Sequence, residues 1–183
     1  MSWSCDERGC AALSDVLGEV ERIKQLTEDL LDLSADRPLA IATVALGELL
    51  AETTQAVRAA FPGTRLELSS AALPSIQGDA GRLRQVFVNL LQNAAQAASN
   101  GKVTVTAQVE GAAVWVRVAD DGPGISAAVA ARLFEPFASG REGGTGLGLA
   151  VSRRFVEWHG GSLRNLEQGT GAVFEMRLPV SQS

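Results

Sequence analysis

Between residues 13 and 33, Val16, Val20, Ile23, Thr27 and Leu30 recur in steps of four and three, and Leu13, Leu17, Leu26 and Leu33 widen the stripe. That spacing predicts one amphipathic helix with a bundle or coiled-coil seam. So wide a stripe needs cover, either from the helix's own domain or from a dimerisation partner. Ser34-Ala-Asp-Arg-Pro38 breaks the pattern, because proline and the residue before it resist helix. A short edge strand is expected at Leu39–Thr43, a helix at 45–60 ending at Phe61-Pro62-Gly63, and a strand at Arg65–Ser69. Asp79 reads as the N-cap of a helix over 80–99 that buries Leu83, Val86, Phe87, Leu90, Leu91, Ala94 and Ala98 and stops at Asn100-Gly101. Strands Lys102–Val109 and Val114–Ala119 follow, with Glu110-Gly111 in a hairpin turn. A loop, a short helix near 126–133, a glycine-rich segment at 140–148 and a helix to about His159 come next, then strands near 162–166 and 172–178. The order predicts an α/β (α+β) two-layer sandwich: a mixed, mostly antiparallel sheet with helices on one face, preceded by a long helix.

Composition narrows the reading. At 183 residues the chain suits one domain with an appendage, or two small domains. With 46% hydrophobic and 20% charged residues it is globular. A net charge of −5 argues against a general nucleic-acid binder, which would carry a basic patch. No apolar run approaches the roughly 20 residues that span a bilayer, and the first residues lack a signal peptide's apolar core. The expectation is a soluble, cytoplasmic chain without direct membrane contact, though its parent protein can still be membrane-anchored. Cys5 and Cys10 read better as free thiols than as metal ligands, since a closed zinc site needs four.

Four clusters can carry chemistry. Asn89 and Asn93 are four apart in Asn89-Leu-Leu-Gln-Asn93-Ala-Ala-Gln-Ala97 and share a helix face. Their amide oxygens suit Mg²⁺, which prefers hard oxygen donors; a solvated polar face is the alternative. Asp120-Asp-Gly122-Pro-Gly124-Ile125 ends a strand in a tight turn, leaving Asp120 as an acceptor for a purine amino group or as part of an ordinary Asp-Gly turn. Leu133-Phe134-Glu-Pro-Phe137 can anchor a mobile loop or simply pack in the core. Gly143-Gly144-Thr145-Gly146-Leu147-Gly148-Leu149 opens a helix, where backbone N–H groups can meet phosphates. It is not a P-loop, for no Gly-Lys-Ser/Thr occurs, and it does not follow the first strand of a βαβ unit.

Taken together and in this order, the clusters resemble the catalytic ATP-binding domain of sensor histidine kinases, nitrogen-regulation-like branch, in the ATPase superfamily shared with gyrase, the heat-shock chaperone ATPases and the MutL proteins. Asn89–Ala97 is similar to that family's asparagine box. Asp120–Gly124 is similar to its first glycine box, Phe134–Phe137 to its phenylalanine box and Gly144–Leu149 to its second glycine box. His159-Gly-Gly and Gly169-Thr-Gly-Ala-Val-Phe-Glu-Met-Arg-Leu-Pro179 also fit, so the likeness spans about residues 39–180.

The resemblance implies ATP and Mg²⁺ as ligands. It implies that Asn93 coordinates the metal and that Asn89 and Arg141 serve catalysis, Arg141 from Ser139-Gly-Arg where the branch typically has Thr-Thr-Lys. Asp120, with Gly122, Gly124 and Ile125, would bind adenine. Gly144, Thr145, Gly146, Leu147 and Gly148 would hold phosphates under a lid at 138–146 framed by Phe134 and Phe137. Gln96 stands where many members carry lysine.

The domains implied are a tail at 1–12, the second helix of a dimerisation and phosphotransfer hairpin at 13–35, and the catalytic domain at 38–183. The first hairpin helix, with its acceptor histidine, is expected to be missing: His159 is the sole histidine and is structural in the family. Expected partners are a response regulator receiver domain, the missing first helix and a second copy in a homodimer. The chain alone is then expected to bind ATP without labelling itself. Rival readings are a non-kinase ATPase of the superfamily, a nucleotide-sensing scaffold, or a serine kinase of the anti-sigma type. The non-kinase ATPases usually place a glutamate where Asn89 stands, and an amide cannot serve as general base.

Overall fold

A computed structural model describes residues 7–34, 38–138, 144–166 and 170–180. It divides into two compact units, Met1–Asp36 and Arg37–Ser183.

The first unit is α1 (Glu7–Ser34). It starts six residues before the position expected from the apolar stripe, because the stripe marks only what is amphipathic. Leu13, Val16, Leu17, Val20, Ile23, Leu30 and Leu31 are exposed along it. The Thr27 hydroxyl donates to the Ile23 carbonyl at 2.9 Å, a helix-internal bond that lets a polar residue sit in an apolar seam. No helix of the described residues is long and apolar enough to cross a membrane.

The second unit runs β1 (Ala42–Val44), α2 (Leu46–Ala60), β2 (Arg65–Ser70), β3 (Ile76–Gly78), α3 (Ala80–Ala98), β4 (Lys102–Glu110), β5 (Ala113–Asp120), α4 (Ala127–Ala130), α5 (Gly148–Trp158), β6 (Ser162–Leu166) and β7 (Val173–Pro179). The main sheet has the order β2-β4-β5-β7-β6, while β1 and β3 form a separate two-stranded ribbon. Only the β2–β4 pair is parallel, so the sheet is mixed and mostly antiparallel. Strand alternation sends Val105, Val118 and Phe174 in register to one face, and Val116, Met176 and Leu163 in the next row. All six are buried against the layer of α2, α3 and α5. On the other face Arg117 donates to the buried Glu175 at 2.6 Å. This is the two-layer sandwich the element order implied.

Two differences have physical reasons, and a third lies at the end of α3. β3 was not expected: it is three residues long, follows Pro74, and exists because Ile76 pairs with Val44 far away in sequence. The short helix expected near 126–133 is only Ala127–Ala130. Beyond it the chain closes bonds to the third residue back, Arg132 to Val129 and Glu135 to Arg132, so a tighter turn replaces the α-helix. At the end of α3 it is Ser99 and Asn100, not Gly101, that adopt positive φ.

The start of α3 is well fixed. Asp79 Oδ1 accepts from the Arg82 N–H at 3.1 Å and its Oδ2 from the Ala40 N–H at 2.9 Å. Burial pushes the Asp79 carboxyl up, but donation from Ala40, Arg82 and Gly81 and the Arg82 charge outweigh it, leaving it below its ordinary value. The Asp79 N–H in turn donates to His159 Nε2 at 2.9 Å, and His159 Nδ1 lies 2.6 Å from the Phe155 carbonyl. Both ring nitrogens are thus engaged, and the ring ties the end of α5 to the start of α3.

Candidate functional site

From that tie, α3 and α5 run antiparallel, and a second meeting point lies one helix length away. There Asn89 Nδ2 donates to Ser152 Oγ at 2.9 Å, and Asn93 Nδ2 donates to Asn89 Oδ1 at 3.2 Å. The i, i+4 spacing does what the sequence implied: it puts both amides on one face, beside the apolar stripe of Leu90, Leu91 and Ala94. Gly148, the first residue of α5, lies against Asn89, and a Cβ there would overlap the Asn89 amide oxygen. Glycine is what allows the helix start to come this close.

α5 begins without a polar cap, since its N-cap is Leu147. Its first N–H groups therefore receive no acceptor from the N-cap side chain, and they carry the positive end of the helix dipole. Leu147 is buried, Gly146 has φ +67°, and the Leu147 N–H lies 3.4 Å from Thr145 Oγ1. Gly144 is exposed just before them. A Cβ on Gly146 would come within 2.6 Å of the Phe137 carbonyl carbon, so the glycine-rich segment rests on the backbone of the Phe134–Phe137 cluster.

Within that cluster the aromatics divide. Phe134 packs edge-on to Phe174 with centroids 6.5 Å apart, and Arg153 stands 5.3 Å from its ring centre. Phe137 is 65% exposed and has φ +65°, a conformation that costs a bulky residue about 1–3 kcal/mol. One aromatic anchors to the sheet and the other projects, whereas the sequence allowed both to be packing residues.

At the far side of α3, β5 ends in Asp120, which is buried. Its Oδ1 accepts from the Gly122 N–H at 2.9 Å and from the Ala172 N–H at 3.3 Å. A Cβ on Gly122 would lie 2.7 Å from the Ala97 carbonyl oxygen, so the Asp120 turn packs directly on α3. Gly124 (φ +77°) and Gly171 (φ +74°) face each other, and a Cβ on Gly171 would overlap the Asp120 carbonyl oxygen. Asp121 points away and accepts from the Lys102 N–H at 2.8 Å, closing the β4–β5 end. Ile125 is half-buried beyond the turn.

Asn89, Asn93, Gly148, Gly122 and Asp120 thus lie along α3 from its middle to its C-terminal end, with Gly124 and Gly146 in the adjoining loops. Arg141, Gly143 and the lid residues 139–143, like Cys5, lie outside the described residues. Ser152 and Gly171 were not singled out from sequence. Ser152 carries no local signal, being one serine on a helix. Gly171 sits in the Gly169-Thr-Gly171 run, whose glycine-threonine-glycine pattern was the available hint. Among the described residues no group of three or more His, Cys, Asp or Glu side chains is placed to hold a metal.

A helical asparagine pair, a glycine-opened helix start and a strand-end aspartate are thus carried on one α/β sandwich. The chain belongs to the histidine kinase-, DNA gyrase B- and HSP90-like ATPase family, whose model matches residues 78–182. It is 38% identical over 168 residues to the sensor histidine kinase ZraS of Escherichia coli K12, covering 89% of this chain and 36% of ZraS. It is 34% identical over 184 residues to the sensory histidine kinase/phosphatase NtrB of Rhodobacter capsulatus, covering 91% of this chain and 51% of NtrB. The chain thus spans between about a third and a half of these relatives' length. Full-length ShkA in complex with AMPPNP superposes with a TM-score of 0.82 at 29% identity, over 98% of this chain and 40% of that one. The histidine kinase ThkA, solved in complex with the response regulator TrrA, gives 0.80 at 26% identity, over 97% of this chain and 53% of that one.

Proposed function

We propose that this chain is the ATP-binding catalytic part of a two-component sensor histidine kinase, which transfers the γ-phosphoryl group of ATP to a histidine outside these 183 residues. The observation that carries the reading is the meeting of Asn89 with Gly148 and Ser152. Among the described residues it sets two amides, and no carboxylate, at the uncapped start of α5. A carboxylate there could deprotonate water; an amide cannot, which favours phosphoryl transfer to another nucleophile over hydrolysis.

Each residue then has a task. Asp120, held by two backbone N–H groups, accepts the adenine amino group, with Gly122, Gly124 and Ile125 shaping the pocket. Gly144, Thr145, Gly146, Leu147 and Gly148 present N–H groups to the phosphates. Phe134 and Phe137 frame the lid, from which Arg141 meets the γ-phosphate. Asn93 fits a magnesium ion: an amide oxygen is a hard, neutral donor, and this metal keeps several waters with few protein ligands. When bound, the ion neutralises phosphate charge. The chain's own contribution is positioning for in-line attack, with the γ-phosphorus–oxygen bond to ADP breaking as the bond to the imidazole nitrogen forms.

In this reading the hairpin's second helix, expected at 13–35 after a tail at 1–12, reaches back to Glu7, and 38–183 are the catalytic domain. The exposed stripe of Val16, Val20 and Ile23 is then covered by the first hairpin helix and by a second copy. A receiver domain accepts the phosphoryl group, and the work is cytoplasmic. The ThkA–TrrA complex supports such a partner.

The test is a transfer assay. The chain is mixed with γ-labelled ATP, Mg²⁺ and a separate dimerisation hairpin bearing the acceptor histidine. Label is expected on the hairpin and none on this chain. Stable label on this chain, or ATP hydrolysis without transfer, defeats the proposal.

A further inference from the structure

The main sheet has a second, open face. The alternation that sends the valines of β4 and β5 to the helices sends Lys102, Arg117, Arg177 and Arg164 to the other side, where each is exposed. Arg65, beside Lys102 on β2, adds a further cation, on a chain whose net charge is −5. The carboxylates of this face are Glu67, Glu175 and, at the hairpin end of β4, Glu110. Glu67 takes Arg65 at 2.7 Å and Lys102 at 2.9 Å. The buried Glu175 takes Arg117 at 2.6 Å. Among the described residues Arg164 and Arg177 have no acidic partner. Arg164 sits opposite Glu175 in register without an ion pair, and Arg177 lies 5.3 Å from the centre of the Trp115 ring. The Trp115 Nε1 is buried with no hydrogen-bond partner among the described residues. Ser162 is the register partner of Arg177, so the two arginines are diagonal neighbours, about 7–8 Å apart in such a pair of strands. Two like charges so close add nothing to the fold.

We propose that this face docks an acidic helix of a partner protein, whose carboxylates one turn apart meet Arg164 and Arg177, with Trp115 beside them as the apolar anchor. Arginine and tryptophan are the side chains that protein interfaces favour. Glutamates at i and i+4 of a helix stand about 5–6 Å apart at Cβ, a spacing that long side chains match to the arginine pair. A helix suits the place because a sheet face, unlike a sheet edge, is covered by a helix or by another sheet. Charge complementarity also selects a protein. The continuous negative charge of a nucleic acid or an anionic bilayer would meet Glu67, Glu110 and Glu175 as well as the arginines. Discrete carboxylates can address Arg164 and Arg177 and leave those acids alone. Neither arginine belongs to the proposed nucleotide site, so the docking does not depend on that reading, and ATP affinity serves as a control for folding.

The experiment titrates the isotope-labelled 183-residue chain by NMR with defined probes. One is an alanine-rich helical peptide with glutamates four apart. A second has the same composition but sets its glutamates on different helix faces. A short thymidine oligonucleotide and phosphatidylserine-containing vesicles complete the set. The first peptide should move the Trp115 indole N–H, identified through Trp115→Phe, together with the backbone N–H signals of Arg164 and Arg177. It should bind more tightly than the second peptide, and less tightly as salt is raised. Arg164→Gln with Arg177→Gln should weaken it about 2- to 30-fold, the loss of two exposed ion pairs, while ATP affinity and the helix-face spectrum stay unchanged. Equal binding of the two peptides, shifts that fall elsewhere, or a double variant that binds as well as the unchanged chain overturns the proposal. So does an oligonucleotide or a vesicle that moves these signals more strongly than the peptide, which would give the face to a nucleic acid or a membrane.

Discussion

Replacing Asp120 by asparagine separates the recognition of adenine from the integrity of the fold. In the native turn Oδ1 holds the Gly122 and Ala172 N–H groups at 2.9 and 3.3 Å. An asparagine oxygen can take over both, so the turn keeps its shape and the Nδ2 group replaces the second carboxylate oxygen. That group donates, and the adenine amino group also donates, so an attractive contact becomes a repulsive one. A charge-assisted hydrogen bond is worth about 1.5–3 kcal/mol, and each 1.4 kcal/mol is tenfold in affinity, which gives a loss of roughly 10- to 150-fold for ATP. Because the contact is with the base, the loss should be the same with and without Mg²⁺. Inosine and guanine carry an oxygen where adenine has its amino group, so the variant should lose less affinity for ITP and GTP. Calorimetric titration with ATP and ITP, alongside thermal unfolding, makes the comparison. ATP binding at native strength in a folded Asp120→Asn protein would refute the assignment of Asp120 to the base.

Other perturbations test other parts. Gly148→Ala should lower Mg·ATP affinity about tenfold or more, because the added methyl displaces the Asn89 oxygen and the metal-side geometry with it; titration checks this. Asp79→Asn should cost about 1 kcal/mol near neutral pH, since one of two carboxylate acceptors is lost. The folded Asp79 carboxyl lies below its unfolded value, so its contribution is present above the unfolded pKa and lost as pH falls through the folded one. Urea unfolding should therefore show the variant and the native protein converging in acid, and a constant gap would contradict this. Val20→Asp with Ile23→Asp, both exposed on α1, should abolish any self-association seen by sedimentation while ATP affinity stays within twofold or so.

Much of this architecture was legible because it is written in local periods. The i, i+4 asparagines, the alternating valines of β4 and β5 and the Asp79 cap each need only a few residues of context. The proposed site rests on the order of four such local patterns. What escaped was decided by distant partners. β3 exists only through its pairing with Val44, and nothing around Ile76 announces it. Ser152 matters because α5 happens to lie along α3 at Asn89, and Gly171 because its loop folds onto the Asp120 carbonyl. The division of roles between Phe134 and Phe137 likewise depends on Phe174, forty residues on in the chain. The helix start at Glu7 was missed for a different reason: Glu7-Arg-Gly-Cys-Ala-Ala12 shows no apolar period to read.

The place of β7 in the sheet has a consequence for how the protein comes into being. It is the final strand of the domain in sequence, yet it lies between β5 and β6 in space, and the Ala172 N–H just before it steadies the Asp120 carboxylate. A ribosome delivers the asparagines, the strand-end aspartate and the glycine-opened helix well before it delivers this strand. During synthesis β5 therefore waits with one edge bare, and the Asp120 carboxylate, proposed to recognise the base, waits without the Ala172 N–H. Nucleotide cannot bind well to such a nascent chain, so ATP can stabilise the domain only after its last strand has been threaded in. A chain cut before β7 would keep the asparagine, aspartate and second glycine clusters and lose the support of the Asp120 carboxylate.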